Sequence, residues 1–502
     1  MATPSSERQR QIFVLFLLAL LTAGKVIQPC LDWDTWWHLR VGQYIVEQKQ
    51  FPTSDPFSQL GQQEHTPWVA YSWLYELLLY GSFQLGGASG VLALRYVLVM
   101  LSWGGIAWFL LRHAGNAWLG LLLLALVTVS LRPFSPERPW HFTIFFTTLT
   151  LHAVISVRAG ESWARYWWLP LCYVLWANIH IQFVMGFAVL GLAWLATLGE
   201  RRFAHARQIF WLGAVCTLAT LVTPFHYRLY IVIWEYASQT QALKLVMELH
   251  PPDFTQWYNW PLIALGLAAG GCTVRRGFRL WDVLLLACGL FFSMRMQRDL
   301  WFGVLTASAV IINQRVENEQ GDAGKRRIGV LPLAGVALAA MALVSFAWEA
   351  GLSQGKTVSI SHVETYPVRA VEVIRERNLP GPMFNNFDWG GYLIWALPER
   401  PVSIDGRTNL YGEARLVRSI DAWSGDPGWE ENPELNAAGF VVAPKPTDWI
   451  EFGKLLDEHP DDWRDRRANR TAKDLGELLR RHPGWKIEYE DDTALIFVPV
   501  RG

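Results

Sequence analysis

Leu31-Asp32-Trp33-Asp34-Thr35-Trp36-Trp37-His38-Leu39-Arg40 gathers two carboxylates, three indoles, an imidazole and a guanidinium into one short run directly after the first hydrophobic stretch. Beyond it, apolar Trp37, Val41, Tyr44, Ile45 and Val46 alternate with polar Arg40, Gln43, Glu47 and Gln48. That spacing predicts an amphipathic helix of about three turns, lying along a membrane surface rather than crossing it. Asp34 falls at the N-cap position, where its carboxylate would accept backbone N–H bonds and be favoured by the helix dipole. The segment by itself reads two ways: a capped interfacial helix in an aromatic belt, or the acidic edge of a site.

The rest of the chain supplies the setting. Of 502 residues, 52% are hydrophobic and 18% charged, and long uncharged runs place the chain in the membrane class. The zero net charge conceals an asymmetry. From Glu349 onward there are 19 Lys+Arg against 26 Asp+Glu, which leaves 25 against 18 in the preceding part. A basic membrane body with an acidic tail is expected when cytoplasmic loops hold the positive charge and the tail lies outside. Nothing in the pattern points to nucleic acid. The five cysteines (Cys30, Cys172, Cys216, Cys272, Cys288) lie in or beside hydrophobic spans, so the tail has no disulfide framework.

The fold expected is mainly α: a polytopic helical membrane protein of about eleven spans with a small C-terminal α/β domain. Spans are expected at about 11–29, 89–111, 117–132, 140–158, 166–182, 183–199, 208–223, 257–275, 281–295, 299–314 and 328–348. The first, over Ile12–Gly24, resembles a signal-peptide core but lacks a small-x-small cleavage site, and is read as retained. A further apolar helix near Ser72–Leu85 is too short and interrupted to count as a crossing. With the N-terminus cytoplasmic, Arg112, then Arg158 and Arg165, then Arg201, Arg202 and Arg207, then Arg275, Arg276 and Arg279, then Lys325, Arg326 and Arg327 all fall inside. Residues 1–348 form the membrane domain on this reading, and 349–502 an extracytoplasmic domain of a bacterial inner-membrane protein. In the tail, Val368–Asn378 and Gly391–Leu397 read as helices. Met383–Phe387, Val402–Asp405, Phe440–Ala443, Trp485–Tyr489 and Leu495–Pro499 read as strands, and Arg464–Arg470 as a charged connector.

The same topology sorts the polar residues onto one rim. Asp32, Asp34, Asp55, Glu76 and Arg138, with His38 and Arg40, share the outer side with Asn178, His180, Arg295 and Arg298. Two carboxylates at a span's end can take a proton from an acceptor or hold a divalent cation, although a metal is not favoured here; the alternative is capping or an ion pair with Arg40. Arg295 and Arg298, three apart, would share a helical face and suit a phosphate, or else snorkel to headgroups. Asn178 and His180 break an apolar run and either line a cavity or hydrogen-bond structurally. In the tail, Asn386, Asp388, Trp389 and Tyr392, with Asp405 and Arg407, combine aromatic and polar groups suited to sugar rings, or to tight turns. No His/Cys spacing suits zinc, no glycine loop suits a nucleotide, and no nucleophile elbow is present. No metal or other cofactor is expected.

Three motifs, Asp32-Trp-Asp-Thr-Trp-Trp-His-Leu-Arg-Val-Gly42, Pro52-Thr-Ser-Asp-Pro-Phe-Ser58 and Trp73-Leu-Tyr-Glu76, together resemble a group of bacterial multi-span proteins. That group is assigned to the type C glycosyltransferase superfamily, relatives of protein mannosyltransferases and aminoarabinose transferases. Trp176-Ala-Asn-Ile-His180, Asp388-Trp-Gly-Gly-Tyr392 and Asp405-Gly-Arg407 extend the resemblance over nearly the whole chain. It implies a polyprenyl-phosphate-linked sugar as donor partner, inverting transfer at the outer face, and a glycan, lipid or protein as acceptor. It also implies a first-loop acid assisting the acceptor, a role that carries over to Asp34 with Asp32 beside it. On this reading the donor phosphate sits at the Arg295/Arg298 corner. A polysaccharide or lipid transporter, and a non-catalytic membrane scaffold with a partner-binding tail, are the other classes open at this point.

Overall fold

A computed structural model describes residues 31–115, 117–239, 246–316, 366–445 and 474–500. The expected first span, the span at 328–348, the Lys325–Arg327 cluster and the Arg464–Arg470 connector lie outside the described residues. The expected amphipathic segment forms α1 (Thr35–Gln48), followed by a short α2 (Gln59–Glu64) and a long α3 (Trp73–His113). Helices α4 (Ala117–Ser130), α5 (Trp140–Arg158), α6 (Leu169–Ile179), α7 (Val184–Gly199) and α8 (Phe203–Ala219) come next. Helices α9 (Arg228–Ser238), α10 (Trp260–Arg276), α11 (Leu280–Arg295) and α12 (Leu300–Val316) complete the helical body.

Three helical stretches are long and apolar enough to cross a bilayer: Trp73–His113, Trp140–Arg158 and Ile181–Gly199. The other described helices are shorter, so the expected count of about eleven crossings is not reached by length among the described residues. The segment at 72–85 is continuous with its successor except at Gly86 and Gly87, where Gly87 has φ +58° and ψ −139°. Only glycine adopts that conformation without strain, so the chain turns there and resumes its helix. Large apolar side chains such as Leu122, Leu171, Leu195, Leu218 and Leu267 stay exposed around the bundle, as lipid-facing positions require.

The apolar face of α1 is covered by protein and not by lipid, which its periodicity alone does not predict. Trp36, Trp37, His38, Leu39, Val41 and Ile45 are all buried, because α1 is clamped between α3 and the tail. Gly42 permits the crossing with α3: a Cβ there would stand 2.3 Å from the Glu76 carbonyl oxygen. Full burial of side chains such as Leu39 and Val41 contributes about 1.5–3 kcal/mol each.

The tail contains α13 (Val368–Glu376), α14 (Gly390–Ala396), α15 (Thr408–Trp423) and α16 (Leu475–Arg481). Its strands are β1 (Met383–Asn385), β2 (Phe440–Pro444), β3 (Trp485–Glu490) and β4 (Ala494–Pro499), in the order β1-β2-β4-β3. β1 and β2 run parallel, while β4 is antiparallel to β2 and to β3. The stretch expected as a strand at Val402–Asp405 is not in this sheet. Val402 instead bridges to Ser58 of the first loop, accepting from Gln59 N at 2.9 Å and donating to Phe57 O at 3.1 Å. Its hydrogen bonds are supplied by residues more than three hundred positions away. One core accordingly mixes Trp36, Leu39 and Val41 with Tyr366, Leu393, Ile404, Phe440 and Ile496.

Candidate active site

The polar rim is built outward from a buried pair. Arg95, inside α3, donates to Glu137 Oε2 at 2.6 Å, and both side chains are almost fully buried. The other Glu137 oxygen accepts from Asp32 N at 2.9 Å and from Thr35 Oγ1 at 2.6 Å. This fixes the start of α1 against the α4–α5 corner. Asp34 occupies the N-cap position with φ −79° and ψ −18°, but its side chain makes no cap hydrogen bond. The capping expected from the sequence is therefore replaced by an ion pair.

Arg138 is the partner. Its Nε donates to Asp32 Oδ1 at 2.7 Å and its Nη1 lies 2.7 Å from Asp34 Oδ2. The same Nη1 is 3.4 Å from Glu248 Oε2, and the other Glu248 oxygen is 3.4 Å from Arg298 Nη1. Asp34 and Arg298 thus belong to one charged cluster. Although burial opposes its charge, Asp32, Asp34 and Glu248 hold the Arg138 guanidinium well above its usual range. Burial pushes Asp32 up to about 6; Arg138 pulls against this, while Asp34 and Glu137 push it further.

The remaining candidates divide. Arg40 bonds Gln43 Oε1 at 2.8 Å rather than either aspartate. His38 is buried, stacked on Trp37 at 3.5 Å, with Nδ1 3.2 Å from Glu76 Oε1. Burial and the fields of Arg138, Arg407 and Arg298 hold it well below the usual histidine range, so it is neutral at pH 7. His180 pairs with Thr143 Oγ1 at 2.8 Å, and Asn178 accepts from Trp73 Nε1 and donates to Val174 O and Val222 O. These two are hydrogen-bonded within the helix packing. Arg295 and Arg298 do not share a helical face: α11 ends at Arg295, Met296 is extended at φ −143°, and Arg298 sits in a separate turn. Arg295 is exposed, whereas Arg298 turns inward to Glu248.

The tail closes over this cluster. A Cβ on Gly406 would stand 2.4 Å from Asp34 Oδ1, so glycine is needed for the backbone to approach the carboxylate. Asp388, whose N–H donates to Asn386 Oδ1, is pushed up to about 6, first by burial and then by the charge of Asp34. Tyr392 and Trp389 are core residues; Tyr392 stacks on Tyr366 at 4.9 Å. Asp405 and Arg407 form a buried clamp with Asp55 rather than a sugar platform. Arg407 reaches Asp405 through Nε at 2.9 Å and Nη2 at 2.7 Å, and Asp55 through Nη1 at 2.8 Å. It also lies over the rings of Trp68 and Phe57. Sequence reasoning assigned no role to Glu137 or Glu248; acids beside proline-marked helix ends (Pro136, Pro139, Pro251) were the available signal.

Asp388 gives a direct pH test. Its folded-state pKa of about 6 exceeds the ordinary 3.8, so the folded state holds its proton more tightly. Its cost to the fold is absent below about pH 4 and fully present above about pH 6, so stability falls as pH rises through that window. Asp388→Asn is expected to flatten the fall in Tm across this interval. An unchanged slope in detergent-solubilised protein would contradict the burial of Asp388.

No family model matches this sequence, and no curated protein does. Among solved structures, the chain is similar to ArnT from Cupriavidus metallidurans in the apo state. The identity is 13%, the coverage 97% of this chain and 98% of that chain, and the TM-score 0.46. At that score the likeness decides nothing about the chemistry.

Proposed function

We propose that the chain is a membrane glycosyltransferase that moves a sugar from a polyprenyl-phosphate donor to an acceptor at the outer face of the membrane. The carrying observation is the link from Asp34 through Arg138 and Glu248 to Arg298, which puts a carboxylate and two guanidiniums at one rim. The resemblance of the Asp32–Gly42 motif to type C glycosyltransferases agrees with this reading.

In the proposed reaction the donor phosphate lies between Arg138 and Arg298, the place Glu248 now spans. Arg138 takes over the role expected of Arg295, which lies exposed at the end of α11. Arginine offers planar, paired N–H donors to phosphate oxygens. The acceptor hydroxyl attacks the anomeric carbon from the face opposite the phosphate, inverting it, as the carbon–oxygen bond to phosphate breaks. Asp34 takes the hydroxyl proton, and the lipid phosphate leaves with its charge held by the two guanidiniums. Charge grows on that phosphate in the transition state, so fixed cations at a poorly hydrated rim act most strongly there. When phosphate binds Arg138, it competes with Asp34 for that guanidinium and frees the carboxylate to meet the acceptor hydroxyl. Asp32 keeps the other edge of Arg138 in place. The site faces outward on this proposal, with the Arg158 end cytoplasmic.

The direct test is release of polyprenyl phosphate from polyprenyl-phosphate hexoses and pentoses in proteoliposomes. Absence of release from every donor, with glycan, lipid and peptide acceptors supplied, would overturn the proposal. Glu248 gives a sharper check. Its contacts are long and its side chain is 35% exposed, so it is a weak occupant of the phosphate position. Exposed ion pairs are worth about 0–1 kcal/mol, so Glu248→Gln should tighten binding of bare polyprenyl phosphate by roughly two- to fivefold. Weaker binding in that variant would mean that Glu248 helps to hold the lipid rather than competing with it.

A further inference from the structure

Two helices that meet at the rim are broken side by side. α6 ends at His180, whose φ of −157° leaves the helix, and a single turn over Ile181–Phe183 leads into α7. α11 ends at Arg295, and the turn Gln297–Asp299 leads into α12. Across the gap Gln182 Nε2 donates to Asp299 Oδ1 at 3.1 Å. In a membrane bundle such irregular backbone persists where protein buries it or where it lines a polar cavity.

Around that contact the hydrogen bonding is incomplete in a specific way. Asp299 is fully buried, yet among the described residues its Oδ2 has no partner; neither has Gln182 Oε1, and the buried Nε of Arg298 is a donor without an acceptor there. Buried polar atoms are ordinarily paired, so three unpaired ones on neighbouring residues mark a place built for something else. The charges limit what that is. A cation is opposed by Arg298 and Arg295, both of which act on Asp299. An anion is opposed by the Asp299 carboxylate, and an apolar group would leave all three atoms unsatisfied. Hydroxyls fit, since each donates once and accepts in turn: they can donate to Asp299 Oδ2 and Gln182 Oε1 and accept from Arg298 Nε. Gln182 is half-buried and Arg298 is 28% exposed, so the edge of this group reaches the surface, and Arg298 joins it to Glu248 and the proposed phosphate position.

We propose that Asp299, Gln182 and Arg298 form the subsite that binds hydroxyl groups of the sugar carried by the donor lipid. This rests on the glycosyltransferase reading and assigns the sugar, as distinct from the phosphate, to named residues. Burial without full hydrogen bonding disfavours the Asp299 carboxylate, and hydroxyl donors would relieve that.

The test measures affinity of the full chain in nanodiscs for bare polyprenyl phosphate and for polyprenyl phosphates carrying different hexoses and pentoses. Wild type is expected to bind at least one glycosylated lipid more tightly than the bare one. Asp299→Asn should reduce that advantage by roughly 10- to 100-fold, as expected for hydrogen bonds to a charged acceptor, and Gln182→Leu by roughly two- to tenfold, as for a neutral one, or to nothing where it is smaller, both retaining affinity for the bare lipid. An advantage that survives both substitutions overturns the subsite and means that ordered water alone completes these atoms. A wild type with no preference for any glycosylated lipid overturns it as well. If the bare lipid also fails to bind, the reading under Proposed function fails with it; binding that Arg298→Ala weakens keeps the phosphate site and isolates the failure to the sugar.

Discussion

Asp34→Asn is expected to lower sugar transfer by roughly 10²–10⁴-fold, the usual effect of removing a general base, in a protein that still folds and inserts. The structure separates these outcomes because Asp34 makes no cap hydrogen bond, so helix α1 does not depend on its charge for its start. Thr35 and Asp32 anchor that start through Glu137 instead. Nor does the substitution strand Arg138, which keeps Asp32 at 2.7 Å and Glu248 at 3.4 Å. Asparagine preserves shape beside Gly406, whose bare Cα accepts the side chain, but it cannot take a proton. The measurement is transfer in proteoliposomes with Tm followed in parallel. If the Asn variant turns over at the wild-type rate, Asp34 is only a counter-charge for Arg138, and Asp32 becomes the carboxylate to test. If Tm collapses along with activity, the role is structural.

The sequence foretold helices better than partners, for a physical reason. Apolar runs bounded by prolines, glycines and arginines locate α5 at Trp140–Arg158 and α11 at Leu280–Arg295 within a residue or so, because these signals are local. α1 was legible as an amphipathic helix, but what covers it was not. Its apolar face meets Tyr366 and Leu393 of the tail instead of lipid, and periodicity does not distinguish the two. The Arg295/Arg298 pairing failed because one extended residue, Met296, rotates the second arginine off the first one's face. Asp34 was legible as a candidate, whereas its partner Arg138 lies 104 positions away, and nothing local ties the two. The tail's Asp405-Gly-Arg407 was visible as a motif. Its closeness to Asp34 depends on a register that only the folded chain establishes.

That register gives the other large effect. Arg407→Met is expected to destabilise the fold by about 3–5 kcal/mol, the typical result of removing one member of a buried ion pair. Arg407 is the shared cation of Asp405 and Asp55, both with side chains wholly buried, and its loss leaves two carboxylates facing each other without a counter-charge. Tyr411 still donates to Asp405, and Ser58 to Asp55 at 2.5 Å, but neither bond supplies charge. Asp55→Asn should cost less, because Arg407 keeps its two bonds to Asp405. Arg407→Lys should fall between wild type and Met, since its ammonium keeps the counter-charge but cannot span three oxygens in the plane of the guanidinium. The consequence reaches the site: when Asp55 and Arg407 part, the first loop keeps its backbone bonds to Val402 but loses its charged hold on the tail beside Gly406, which loosens the approach of Gly406 to Asp34. Thermal unfolding and limited proteolysis around Val402 would report the first effect, and residual transfer in the Asp55→Asn variant the second. An Arg407→Met protein within about 1 kcal/mol of wild type would show that the apolar core beneath Trp36 and Tyr366 joins loop and tail by itself, with the buried charges contributing specificity alone.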